Sequence, residues 1–173
     1  MNIHPIFVHF PVALLTLYAV MEVLQLPAAR ASHAWQIVKS VFVVIGAVGA
    51  VAAYQTGDWA TEGMPRAGIV AVHATWASIA VTFFVIVAGM YVVRFINTEA
   101  PRAKDWMWNT RYVRTVWEAL SRVTDWIVGK WWVVLVIGIV ALALISIVGA
   151  LGGAVAYGTA NDPMSAWVVN LLM

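Results

Sequence analysis

The run VVLVIGIVALALISIVGALGGAV, residues 133–155, is apolar in every direction, and few folds are open to a chain that carries it. A helix with no polar face is either deeply buried in a large core or surrounded by lipid. A transmembrane β-barrel is excluded, because its strands of about ten residues alternate strictly between lipid and lumen. Apolar stretches long enough to cross about 30 Å of hydrocarbon as helices occur at roughly 6–26, 36–56, 67–95 and 131–157. With 63% hydrophobic and 10% charged residues, the 173-residue chain is too apolar for an ordinary soluble domain. The expected fold class is all-α, a four-transmembrane-helix bundle in which residues 1–173 form a single integral membrane domain.

The charges predict an orientation. Arg30 and Lys39 lie between the first two spans or at the adjoining end of the second, and Arg94, Arg102, Lys104, Arg111, Arg114, Arg122 and Lys130 lie between the last two or at the adjoining end of the third. Nine of the ten basic residues therefore share one side, with Arg66 alone on the other. Lys and Arg in short loops mark the cytoplasmic face, so the N-terminus, the 57–66 loop and the C-terminal tail are expected on the periplasmic or exterior side. Read this way, the basic residues are topology signals and imply no nucleic acid. The first basic residue is Arg30, which leaves no positively charged n-region and argues against a cleaved signal peptide.

Between the third and fourth spans, NTEAPRAKDW reads as a helix stop, a proline turn and a new start. Val113, Val116, Trp117, Leu120, Val123 and Ile127 then recur at steps of three and four, with Arg111, Arg114, Glu118, Arg122 and Asp125 opposite. Together with Trp106, Trp108, Trp126, Trp131 and Trp132, this pattern predicts a cytoplasmic amphipathic helix within 97–130, lying at the membrane interface. A long cytoplasmic extension of the fourth span is the alternative. Small residues at Gly46, Gly49, Gly149, Gly152 and Gly153 point to close helix packing. No internal repeat of 20 to 50 residues is visible.

Chemistry has few carriers here. The absence of cysteine removes disulfides, thiolate zinc sites, iron–sulfur clusters and covalent haem attachment. No HExxH, P-loop, dinucleotide fingerprint or Ser-His-Asp set is present. The predicted orientation instead gathers His4 and His9 of the first span, His73 about two turns inside the third, Asp58 and Asp162 at the external end. His33 falls among the cytoplasmic charges. Residues five apart on a helix are rotated by about 140°, so His4 and His9 cannot both face one centre from an undistorted helix. Pro11 either opens the span after a separate turn at 4–10, or sits inside a helix that starts at Pro5 and kinks near Phe7.

Three readings of the histidines stay open: neutral imidazoles hydrogen-bonded to neighbouring helices, a metal centre, or a proton relay or small metal site that uses Asp58. For the metal centre, a bundle without cysteine most naturally holds a b-type haem. His9 and His73 are the expected axial pair, His4 an additional or alternative ligand, and Asp58 and Asp162 supporting groups. Thr16, Tyr18 and Glu22 form only a partial polar ladder for conduction, with Glu22 expected to reach the interface or to pair with Arg94.

HPIFVHFPVALL, TGDW, AVHATW and LGGAVAYGTANDP together resemble a family of uncharacterised bacterial four-helix membrane proteins. That family opens with His-Pro-x-x-Val-His-Phe-Pro and closes with a Gly-Gly…Tyr-Gly element. The resemblance spans all four apolar stretches and leaves 97–130 uncovered. It implies an inner-membrane protein with His4, His9 and His73 at the motif positions, and a redox setting, because related domains occur beside electron-transfer modules. The expected function is membrane electron transfer between a quinol and a periplasmic redox protein. The alternative is a non-catalytic structural subunit or anchor that contacts lipid and other membrane subunits.

Overall fold

The computed structural model describes residues 4–60, 67–104, 110–159 and 163–173, with the side chains of 4–7 and 60 outside the described set. Within them the chain is entirely helical. The elements are α1 (His4–Val23), α2 (Pro27–Ala31), α3 (His33–Ala60), α4 (Gly68–Thr98), a 3-10 turn (Pro101–Lys104), α5 (Arg111–Gly129), α6 (Trp131–Tyr157) and α7 (Pro163–Leu172). No strand occurs among the described residues.

Helices α3, α4 and α6 are long and apolar enough to cross a membrane. α1 has 20 residues, with Val8–Val23 as its shorter apolar part. Only 22% to 33% of the residues in the most apolar windows of the three long helices are buried inside the protein. The remainder, including Val48, Ile86 and Ile139, present apolar side chains outward, as lipid-facing helices do.

Local chemistry sets the boundaries. Pro27 opens α2, where its missing N–H and fixed φ cost nothing. The Ser32 hydroxyl accepts from the Trp35 N–H at 3.4 Å at the start of α3. Gly158 ends α6 at φ 78° and ψ 168°, a conformation open almost only to glycine. α1 runs unbroken through Pro11, so the segment 4–10 is helical and not a separate turn. Pro11 packs against α3, where a Cβ placed on Gly49 would stand 3.1 Å from its ring.

The four long helices form a ring: α1 and α4 occupy opposite corners, each flanked by α3 and α6. Leu15, Tyr18, Ala19, Val43, Ala47, Phe84, Val87, Ala88, Tyr91 and Ala141 fill its centre. A second cluster joins Ala150, Leu151 and Ala154 of α6 to Val168 and Val169 of α7, with Ile69, Val72 and Trp76 of α4 beside it. The C-terminal segment is thus a helix docked on α6, where the Ser165 hydroxyl donates to the Ala150 carbonyl at 2.9 Å. Asn97 near the end of α4 fixes α5 from two sides: its Nδ2 donates to Ser121 Oγ at 2.9 Å, and Trp117 Nε1 donates to its Oδ1 at 3.1 Å. Val113, Val116, Leu120, Val123 and Trp126 of α5 are exposed.

Glycine controls the closest approach. A Cβ on Gly138 of α6 would lie 2.8 Å from Glu22 Cβ and 3.1 Å from the Val23 backbone nitrogen. Backbone atoms do not yield as a flexible side chain does. Gly138→Ala is expected to cost about 1–3 kcal/mol in unfolding measured in detergent micelles. Gly149→Ala, which meets nothing within 4 Å, should show no loss.

Candidate functional site

The one set of fully buried charges lies in the ring, among the described residues, and joins α1, α3 and α4. Glu22 is 0% exposed and Lys39 4%, and Lys39 Nζ donates to Glu22 Oε2 at 2.9 Å. The other carboxylate oxygen, Oε1, accepts the hydroxyl of Tyr91. Lys39 Nζ also stands 5.7 Å from the centre of the Tyr91 ring, within cation–π range. Tyr18 meets Tyr91 edge to face, with centroids 5.6 Å apart and planes at 85°. Gly138 supplies the fourth wall by letting α6 close onto Glu22 Cβ and the Val23 backbone nitrogen.

Each partner has a reason. A carboxylate taken out of water loses several kcal/mol of solvation, which only close opposite charge and hydrogen bonds replace. The expectation that Glu22 reaches the interface or pairs with Arg94 is corrected: Lys39 and Tyr91 take both of its oxygens. Lys39 is likewise not a loop charge, since it lies inside α3 and points into the protein. Nothing in local sequence spacing signals this set, because its members are 17 and 69 residues apart.

At the opposite end stand the residues singled out for ligation. α1 and α3 run antiparallel, as the pairs Glu22–Lys39, Leu15–Gly46 and Pro11–Gly49 show. The His33–Glu99 pair, 2.8 Å apart, joins the start of α3 to the end of α4. α6 then runs antiparallel to α1. Gly152 lies 14 residues beyond Gly138 and His9 lies 13 before Glu22, so at 1.5 Å per residue both stand about 20 Å from the Glu22 level.

His73 reaches that level from α4. It is half-buried, and its Cε1 is 3.4 Å from where a Gly152 Cβ would be. His9 on α1 is exposed, and Asp58 near the end of α3 is half-buried. His9, His73 and Asp58 therefore share one end of the ring, while His33 lies at the other. The side chain of His4 and all of Arg66, Trp106, Trp108 and Asp162 lie outside the described residues. Because α1 is continuous from His4, positions 4 and 9 are about 140° apart on it. Among the described residues, no three His, Asp or Glu side chains are grouped to hold a bare metal ion.

Among the described residues the chain is thus all-helical, with three helices long and apolar enough to cross a membrane and two polar ends of different character. Compared with protein-family models, curated proteins and solved structures, it matches none.

Two measurements follow from these contacts. Glu22→Gln or Lys39→Met alone leaves the partner buried without its counter-charge, and each should cost about 3–5 kcal/mol in micelle unfolding. The double variant should recover most of that loss, which a double-mutant cycle resolves. At the other pair, the hydrogen bond from His33 holds the Glu99 carboxyl below the usual carboxylate range. A folded value below the unfolded one means that the contact contributes fully above the ordinary range and is lost as pH falls through the depressed value. In His33→Ala the Glu99 carboxyl should titrate at higher pH by carbon NMR.

Proposed function

We propose that this chain is a membrane electron-transfer subunit that holds a b-type haem at the end of the ring carrying His73. The observation that supports it is the setting of His73: an ionisable side chain about one and a half turns inside the apolar helix α4, half-buried against glycine, at the level of His9. Ionisable residues within spans are rare and usually functional. The donor set suits a porphyrin iron, since it offers imidazoles among apolar side chains and no thiolate. His73 and His9 are the proposed axial ligands, from diagonal helices, with His4 as the alternative on α1. Asp58 and Asp162 are the proposed supporting groups, orienting an imidazole through its second nitrogen. A bound haem supplies one-electron chemistry, while the chain positions it and sets its polarity.

In this reading α1 is the fourth span, since 20 helical residues extend about 30 Å. The basic residues at the other end make that end cytoplasmic and both termini periplasmic in a bacterial inner membrane. α5 lies in the interface with Val113, Val116, Leu120, Val123 and Trp126 toward lipid, as their exposure favours. A quinol in the bilayer and a periplasmic redox protein are the proposed electron partners. The resemblance of the opening octapeptide to a four-helix family in redox settings supports the same assignment.

A second reading, a structural subunit of a larger membrane complex, is favoured by the outward apolar rows of α5 and α7, where Trp126 and Trp167 are 59% and 65% exposed. A reduced-minus-oxidised spectrum of protein purified from haem-replete cells separates the two. Soret and α bands are expected, with His73→Ala losing them at unchanged helical content. Absence of bands in the parent protein rejects the haem and leaves the structural subunit.

A further inference from the structure

At the Glu22 end, a cavity of about 210 Å³ opens between the ends of α1, α2 and α4, the start of α3, and the α5–α6 junction. That is the space of several water molecules at about 30 Å³ each. Its charge is one-sided. Arg30 of α2, Lys39 of α3 and Arg94 of α4 line it, and no Asp or Glu does. The neighbouring carboxylate, Glu22, is already held by Lys39 and Tyr91. Neither Arg30 nor Arg94 has a carboxylate within ion-pair distance among the described residues.

Two guanidinium groups from different helices therefore converge on one recess with no counter-charge among the described residues. Gln25 and Gln36 add amide groups to the wall, and the buried Gln25 Oε1 accepts no hydrogen bond among the described residues. Trp35 adds an indole, the side chain that favours the headgroup level of a bilayer. Helix ends, paired arginines and tryptophan at the rim of a membrane protein match a phosphate ester better than a soluble anion. Arginine forks fit phosphate oxygens, and basic recesses between spans take anionic headgroups.

We infer that this cavity binds the phosphate of an anionic phospholipid from the adjoining leaflet, with Arg30 and Arg94 as its principal contacts and a headgroup hydroxyl donating to Gln25. The site is independent of the haem assignment, and spectra do not bear on it.

Native mass spectrometry of the detergent-purified full chain tests this with added phosphatidylglycerol, phosphatidylcholine or inorganic phosphate. Phosphatidylglycerol should be retained in preference to phosphatidylcholine. Arg30→Gln and Arg94→Gln should each weaken retention roughly fivefold, at about 1 kcal/mol per basic residue. Arg111→Gln, an exposed change on α5, should leave it unchanged. Equal retention of the two lipids, or unchanged retention in both cavity variants, overturns the site. Displacement of the lipid by millimolar inorganic phosphate overturns the lipid as its source. If Arg94→Gln loses helicity by circular dichroism, Arg30→Gln on the short α2 carries the test alone.

Discussion

Glu22 is a carboxylate around which four helices close. Its oxygens bind Lys39 of α3 and Tyr91 of α4, and its Cβ is closely approached by Gly138 of α6. In a low-dielectric interior such a set is exacting, because each polar group is costly unless its partner stands in place. Apolar packing among lipid-facing helices has no comparable directionality. Contacts among Leu15, Val43, Phe84 and Val87 carry no directional bond, whereas the Glu22 contacts fix rotation and height together. The net stability of such a pair is small, but its geometric demand is not.

Fixing that end has consequences at the other. With the Glu22 level as a common origin, the regular rise of α1 and α6 carries His9 and Gly152 to the same height. α4 brings His73 to Gly152, and α7 folds back over the seam between α4 and α6 through Ser165, Val168 and Val169. The two ends differ in kind. One is basic and opens into a recess with Arg30 and Arg94, while the other carries imidazoles and a carboxylate among apolar walls.

Much of this order was legible in the residues. The run from Trp131 to Tyr157 forms one helix over the expected bounds, because a chain without polar side chains must satisfy its backbone internally. The periodicity from Arg111 produced α5, and Gly46, Gly49 and Gly152 stand at helix contacts as expected, whereas Gly149 meets nothing within 4 Å. Two features escaped. The apolar segment SAWVVNLL belongs to a helix that docks on α6, a contact that no local pattern announces. Lys39 reads as a loop charge because basic residues near span ends usually are, but its register on α3 turns it inward to Glu22.

The sequence by itself determined that the chain is helical and apolar enough for a membrane, since backbone satisfaction and side-chain solvation are settled residue by residue. It also determined which residues can do chemistry, by supplying four histidines and no cysteine. Only the tertiary structure decided which charges meet and which stay open. Pairing depends on the rotation and height of separate helices, and those are set by contacts between residues as far apart as Glu22 and Tyr91.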